Sequence, residues 1–254
     1  MNMISRIKAK VIQYWLKKKN YTLLKNNIVV ENGYAYNSGL YPYAKYSPWI
    51  TDKDFNDIFL LVKDYTLITE PQRMYELWQL AMEVKDLEGD YIEVGSWRGG
   101  SGALIASVAM KHSSSSNVYL CDTFEGVVKA GAKDNFYKNG EHKDTNIDLV
   151  LNIISELKLT NTSVLKGIFP DETGRSLESN KFKFCHIDVD VYESARAITE
   201  WVWERLVIGG VVIFDDFGFR NTQGVTSFVE SQRNKSDRLV IHNLNGHGLI
   251  IKIA

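Results

Sequence analysis

Tyr91-Ile92-Glu93-Val94-Gly95-Ser96-Trp97-Arg98-Gly99-Gly100 runs from a short apolar strand through a glycine turn into the helical pattern Ser101–Met110. Glycine lets the chain turn sharply and pass close to a ligand, and the start of the following helix offers free N–H groups. The Gly-x-x-x-Gly spacing is not the Gly-x-Gly-x-x-Gly fingerprint of dinucleotide enzymes. Further strands are expected at Val118–Cys121, Ser163–Leu165, Phe182–Ile187 and Val211–Phe214, with helices at Thr145–Leu157 and Tyr192–Leu206. Strands that alternate with helices imply right-handed crossovers and a mostly parallel sheet covered on both faces. Asn245–Gly246, between Leu239–Asn243 and Gly248–Ile253, marks an antiparallel hairpin at the sheet edge. The expected fold is α/β: a doubly wound, mostly parallel Rossmann-like sheet with a C-terminal antiparallel hairpin.

Residues 1–88 read as an N-terminal helical, aromatic cap of the same unit, and 89–254 as the ligand-binding domain. Pro71 opens a helix whose apolar face holds Met74, Leu77, Leu80, Ala81 and Val84. Tyr34, Tyr36, Tyr41, Tyr43, Tyr46 and Trp49 crowd one short segment. Met1–Asn20 is basic and amphipathic, with Ile4, Ile7, Val11, Ile12, Trp15 and Leu16 at helical spacing. It reads as a helix packed on the body or on a second subunit of a homo-oligomer, with membrane-surface binding as the sharper alternative. No apolar run approaches the length of a membrane span.

The chain of 254 residues carries 30 basic and 31 acidic side chains, a net charge of −1, so it lacks the basic excess expected of a nucleic-acid binder. Cys121 and Cys185 sit in apolar segments without metal-site spacing, which excludes a disulfide scaffold and suits a reducing, cytoplasmic setting.

Ligands of open α/β sheets bind beyond the carboxyl ends of the strands. Asp122 ends the second strand, about 20 residues after Gly99, where a carboxylate can accept from both hydroxyls of a ribose. Glu93, two places before Gly95, suits a cationic amine better than phosphate. Together they point to an adenosine ligand without phosphates. His186-Ile187-Asp188-Val189-Asp190 and Phe214-Asp215-Asp216-Phe217 then set four carboxylates at the mouths of two strands. Unpaired, these would repel one another, and a hard divalent cation with oxygen ligands accounts for them. Asp188, Asp215 and Asp216 are the chosen ligands, although Asp215 and Asp216 diverge unless a turn intervenes. Asp190 stands beside the ion or serves as a base. His186 reads as a core residue, and His142, in the polar loop 129–145, as a group that meets substrate or is merely solvated. His112, His242 and His247 carry no signal.

In their order, Tyr91–Gly95 with Gly99-Gly100, Asp122-Thr123-Phe124-Glu125-Gly126, His186–Ser194, and Leu206–Gly210 before Asp215-Asp216 resemble the macrocin-type O-methyltransferases of antibiotic and glycan sugars. The likeness extends upstream to Ser47-Pro48-Trp49-Ile50, Asp64-Tyr65-Thr66-Leu67 and Tyr75-Glu76-Leu77-Trp78. The resemblance implies S-adenosylmethionine as donor and a divalent metal, usually magnesium, with manganese or iron also suited to oxygen ligands. It places Glu93 and Gly95, with Ser96, Trp97 and Gly99 of the same turn, around the methionine part of the donor. Asp122 with Thr123 would take the ribose, Phe169 would lie by the donor pocket, and Asp188, Asp215 and Asp216 would hold the metal. Val127-Val128, where the family commonly has proline, and the unaligned loop 129–145 depart from the pattern, so the acceptor is not carried over.

The expected activity is therefore metal-dependent methylation of a hydroxyl on a nucleotide-linked sugar, a glycan or a glycosylated natural product. Asp188 would bind metal and accept the proton, with Asp190 as the alternative base. Tyr41, Tyr43, Tyr46 and Trp49, with Asp134, Asn135, Asn139 and His142, are candidate walls for the sugar. Two rivals remain open: a glycosyltransferase using Asp188-Val189-Asp190, and a donor-binding protein without catalysis.

Overall fold

A computed structural model of the chain describes residues 12, 14–16, 18, 19, 28–38, 45–113 and 115–254. Residues 1–46 and 47–254 form separate compact units. In the first, β1 (Ile28–Glu31) pairs antiparallel with β2 (Tyr34–Asn37). Asn32 (φ 50°) and Gly33 (φ 83°) make the turn, the left-handed pair that a tight hairpin needs. A hairpin thus stands where the sequence reading expected helix and turn, although Asn-Gly was the signal for it. Tyr41, Tyr43 and most of the amphipathic segment Met1–Asn20 lie outside the described residues.

In the second unit, β3 (Asp90–Val94), β4 (Val118–Asp122), β5 (Thr162–Lys166), β6 (Phe182–Ile187) and β7 (Leu206–Phe214) run parallel. β8 (Arg238–His242) and β9 (Gly248–Lys252) add the antiparallel edge. The order is β5-β4-β3-β6-β7-β9-β8. It reverses at β3, which pairs with both β4 and β6, so the crevice beyond the carboxyl ends of β3 and β6 is the switch point. β7 begins at Leu206, earlier than expected. Gly209 (φ +85°) and a register shift against β6 let the strand absorb the Gly-Gly step, and the preceding helix stops at Trp203.

Side chains alternate across the strands and build two cores. On one face Tyr91, Phe184, Val211, Ile213 and Leu249 pack under α1 (Lys53–Val62), α2 (Pro71–Glu83), α3 (Gly100–His112) and α4 (Ile147–Glu156). On the other Ile92, Cys185, Ile187, Val212, Phe214 and Ile250 pack under α5 (Tyr192–Trp203) and α6 (Gln223–Ser231). α1 starts where Asp52 accepts from the Phe55 N–H at 3.0 Å, and α2 starts on Pro71, whose missing donor costs nothing there. α1 and α2 share their core with α3, so they form one layer of the sandwich around the sheet. No helix among the described residues is long and apolar enough to cross a membrane.

Gly95 has φ +91°, and a Cβ there would stand 1.7 Å from the Asp188 carbonyl oxygen. The glycine is thus required for the chain leaving β3 to cross the chain leaving β6. Gly95→Ala is expected to destabilise the fold by about 3 kcal/mol or more, from a left-handed backbone and a clash with main chain. Chemical denaturation checks this, and a loss under about 1 kcal/mol would mean that the crossing can relax.

Candidate functional site

The loops beyond β3, β4, β5, β6 and β7 line a cavity of about 320 Å³. Gly95, Trp97, Asp122, Thr123, Phe169, Asp188, Asp190, Asp215, Asp216 and His142 all lie on its wall. Glu93, Ser96 and Gly99 are not on the wall. Glu93 is fully buried on the α3 side of the sheet, where a Cβ on Gly102 would stand 2.4 Å from its Oε2. Gly99 (φ +86°) caps α3, packed against Val150, and Ser96 is buried with an unpartnered Oγ.

Asp122 accepts backbone N–H groups from Trp97 at 2.7 Å and Phe124 at 2.6 Å. Burial nevertheless outweighs these bonds and raises its pKa. Trp97 (φ 46°) is tied to the far loop, its indole N–H donating to Asp144 at 3.2 Å while Arg98 pairs with Asp144 at 2.8 Å. Phe169 packs edge-on against Trp201, 4.9 Å between ring centres, so the cavity touches a ring already fixed by the core.

The aspartates converge because a turn follows Phe214. One carboxylate oxygen from each of Asp188, Asp215 and Asp216 lies within 4.8 Å of the others. Asp190 takes a left-handed backbone (φ 64°), and its N–H donates to Asp216 at 2.9 Å. Strain of this kind in a non-glycine residue gathers at functional sites. Burial first, then the neighbouring carboxylates, pushes Asp188 and Asp216 far above the usual carboxylate range, and burial raises Asp190 as well. Asp215 goes the other way. Burial opposes its charge, but the imidazoles of His186 and His247 and the guanidinium of Arg73 hold its pKa well below the ordinary value.

Behind the cavity, the alternation of the strands lines up Glu93, His186, Asp215 and His247 on one face of the sheet, under α2. His186 Nδ1 donates to Glu93 at 2.8 Å, while its Nε2 stands 3.9 Å from Asp215 and has no hydrogen-bond partner. His247 bridges Glu76 (2.7 Å) and Asp215 (3.0 Å). Arg73 reaches the Asp215 carboxylate at 2.6 Å, its carbonyl at 2.9 Å, and the ring of Phe219 at 5.0 Å. Sequence reading saw no signal in His247 and did not single out Arg73. The available hint was Glu93 and His186, ionisable side chains set among apolar neighbours near the carboxyl ends of two buried strands. Burial alone would lower the pKa of His186, but Asp215 and Glu93 push it up to about 9. A raised histidine pKa stabilises the fold fully below its unfolded value of about 6.5, and this support is lost as pH rises through the folded value. In chelator-containing buffer the melting temperature is therefore expected to fall between about pH 6.5 and 9, with a shallower fall in His186→Gln. Parallel profiles for the two proteins would contradict the assignment.

Of the residues expected to wall the acceptor, His142 reaches the cavity, its Nε2 lying 3.3 Å from the Tyr137 hydroxyl. Asp134, Asn135 and Asn139 instead hold the loop in place, to itself and to its neighbours. Asp134 accepts from the N–H groups of Gly131 and Tyr192, Asn135 donates to the Arg220 carbonyl, and Asn139 accepts from the Ala130 N–H. Trp49 packs on Tyr75 and is not on the cavity wall, and Tyr46 is 85% exposed.

With this geometry in place, residues 61–244 match the macrocin O-methyltransferase family (TylF). The chain belongs to that family. A curated relative, the 8-demethyl-8-(2,3-dimethoxy-alpha-L-rhamnosyl)-tetracenomycin-C 4'-O-methyltransferase of Streptomyces olivaceus, is 31% identical over 139 residues. That match covers 51% of this chain and spans about half (53%) of the relative's length. Among solved structures, the O-methyltransferase NovP superposes with a TM-score of 0.66 at 18% identity, covering 80% of this chain and 100% of NovP. The calicheamicin methyltransferase CalS11 superposes with a TM-score of 0.62 at 15% identity, covering 82% and 94%. At such identities the two structures establish the Rossmann-like methyltransferase fold of this macrocin O-methyltransferase family member.

Proposed function

We propose that the chain transfers the methyl group of S-adenosylmethionine to a sugar hydroxyl, aided by a divalent cation, magnesium first, at Asp188, Asp215 and Asp216. The observation that carries this reading is one cavity shared by a ribose-type carboxylate, bonded to the glycine turn after β3, and by three converging carboxylates. Both groups suit what they would hold. Asp122 is already set by two N–H donors and retains lone pairs for hydroxyls. The aspartates offer only oxygen, the donor type that magnesium, manganese and calcium prefer, and their mutual repulsion is what a cation relieves. A bound divalent cation would lower the free energy of negative charge on the acceptor oxygen.

Gly95 and Trp97 would flank the methionine part of the donor, with Asp122 and Thr123 at its ribose and Phe169 beside it. Glu93 acts at one remove, through His186. The O–CH3 bond forms as the S–CH3 bond breaks, leaving S-adenosylhomocysteine, and the hydroxyl proton passes to a carboxylate. Asp190 suits that role, because it lies on the same cavity wall and the metal assignment leaves its carboxylate free of the ion; Asp188 is the alternative. Holding the oxygen in line with the sulfonium methyl supplies much of the acceleration. Tyr137 and His142 stand over the same carboxylates and would meet the sugar. The free, buried Cys121 and Cys185 suit a reducing compartment and support a cytoplasmic enzyme of carbohydrate modification. Self-association through the amphipathic segment Met1–Asn20 completes the proposal.

A glycosyltransferase reading of Asp188-Val189-Asp190 leaves Asp122 and its turn without a partner. Calorimetry with S-adenosylmethionine and with a nucleotide sugar separates the two. The methyltransferase reading expects the former to bind and Asp122→Ala to weaken it by about 1.5–3 kcal/mol for each hydrogen bond lost. Metal-dependent binding of the nucleotide sugar alone would overturn it.

A further inference from the structure

We propose that His247 and Arg73 are positioning residues that fix Asp215 as a metal ligand, and that their cluster stands in place of a second cation. The inference rests on the metal reading of Asp188, Asp215 and Asp216. Oδ1 of Asp215 receives Arg73 at 2.6 Å and His247 Nε2 at 3.0 Å. Arg73 also donates to the carbonyl of Asp215 at 2.9 Å, so backbone and side chain are held together. Oδ2 is left as the oxygen that faces no protein donor among the described residues.

The hold is itself anchored. His247 is fully buried, and its Nδ1 donates to Glu76 at 2.7 Å, with the other Glu76 oxygen accepting from the Asn243 amide. Helix α2, which supplies Arg73 and Glu76, and the β8–β9 turn, which supplies His247, therefore both converge on one carboxylate. Partners of this kind orient ligating carboxylates and tune affinity for the ion.

His186, Asp215 and His247 also offer atoms within 4.8 Å of one another, the spacing of a three-ligand metal set. The hydrogen bonding argues against an ion there. Both nitrogens of His247 are already engaged by carboxylate oxygens at hydrogen-bonding distance, and the Arg73 guanidinium already supplies positive charge at Asp215. The site is built for one ion.

Binding of Mn2+ to the full chain, read by electron paramagnetic resonance alongside thermal melts and S-adenosylmethionine calorimetry, tests this. The wild type is expected to bind one Mn2+. His247→Leu is expected to bind it about 10- to 100-fold more weakly. His247→Gln, which can still present an N–H to Asp215, should recover most of that loss, and donor affinity should hold in both. Should the leucine variant not fold, Glu76→Gln reads the same contact and should weaken Mn2+ in the same direction. Wild-type Mn2+ affinity in His247→Leu, or in Glu76→Gln when the leucine variant does not fold, would overturn the inference. So would equal losses in the leucine and glutamine variants, or two ions in the wild type. A wild type that binds no Mn2+ overturns the metal reading itself, whereas one bound ion with indifferent variants overturns the positioning role alone.

Discussion

Asp190→Asn is expected to lower kcat by about 10²- to 10⁴-fold, the range of a lost general base, while S-adenosylmethionine affinity and melting temperature hold. The amide keeps the side chain's shape and cannot take a proton. It also leaves intact the backbone N–H that Asp190 donates to Asp216, so the left-handed turn survives. Steady-state kinetics on the variant, with donor calorimetry as a control, decides between the two candidate bases. Unchanged kcat would remove Asp190 from proton transfer and leave Asp188.

Asp216→Ala is expected to have an effect of similar size by a different route, because it removes a ligand oxygen and the acceptor of the Asp190 N–H together. Charge stabilisation by a metal is worth several kcal/mol, and about 4 kcal/mol corresponds to roughly a 10³-fold loss in turnover. Donor binding should survive, since Asp122 is held by the Trp97 and Phe124 N–H groups and not by Asp216. Near-normal turnover in this variant, with metal content confirmed by elemental analysis, would show that the aspartate cluster is not the metal site.

The fold was readable because each strand from Tyr91 to Phe214 is a short apolar run closed by a turn residue, and the two core faces follow from alternation along those runs. Asp122 and the four aspartates were readable for a related reason: carboxylates directly after buried strands require an explanation. What escaped was set by contacts distant in sequence. His247 meets Glu76 across 171 positions and Arg73 meets Asp215 across 142, and neither pair leaves a local pattern. The role first given to Glu93 shows the converse limit. Its motif was legible, but the alternation of β3 turns its side chain toward α3 and His186, away from the cavity. The polar residues Asp134, Asn135 and Asn139 of loop 129–145 likewise spend hydrogen bonds on holding the loop, to itself and to Tyr192 and Arg220.

The account's central claim is tested most directly by incubating the protein with S-adenosylmethionine, magnesium and a panel of sugars, nucleotide-linked sugars and glycosides, and reading the products by mass and fragmentation. The account predicts that one acceptor gains a single methyl group on a ring oxygen, with an equal yield of S-adenosylhomocysteine, and that chelation stops the reaction until magnesium is restored. Methyl transfer to nitrogen or carbon, or full transfer to oxygen in protein verified to be free of metal, would contradict it.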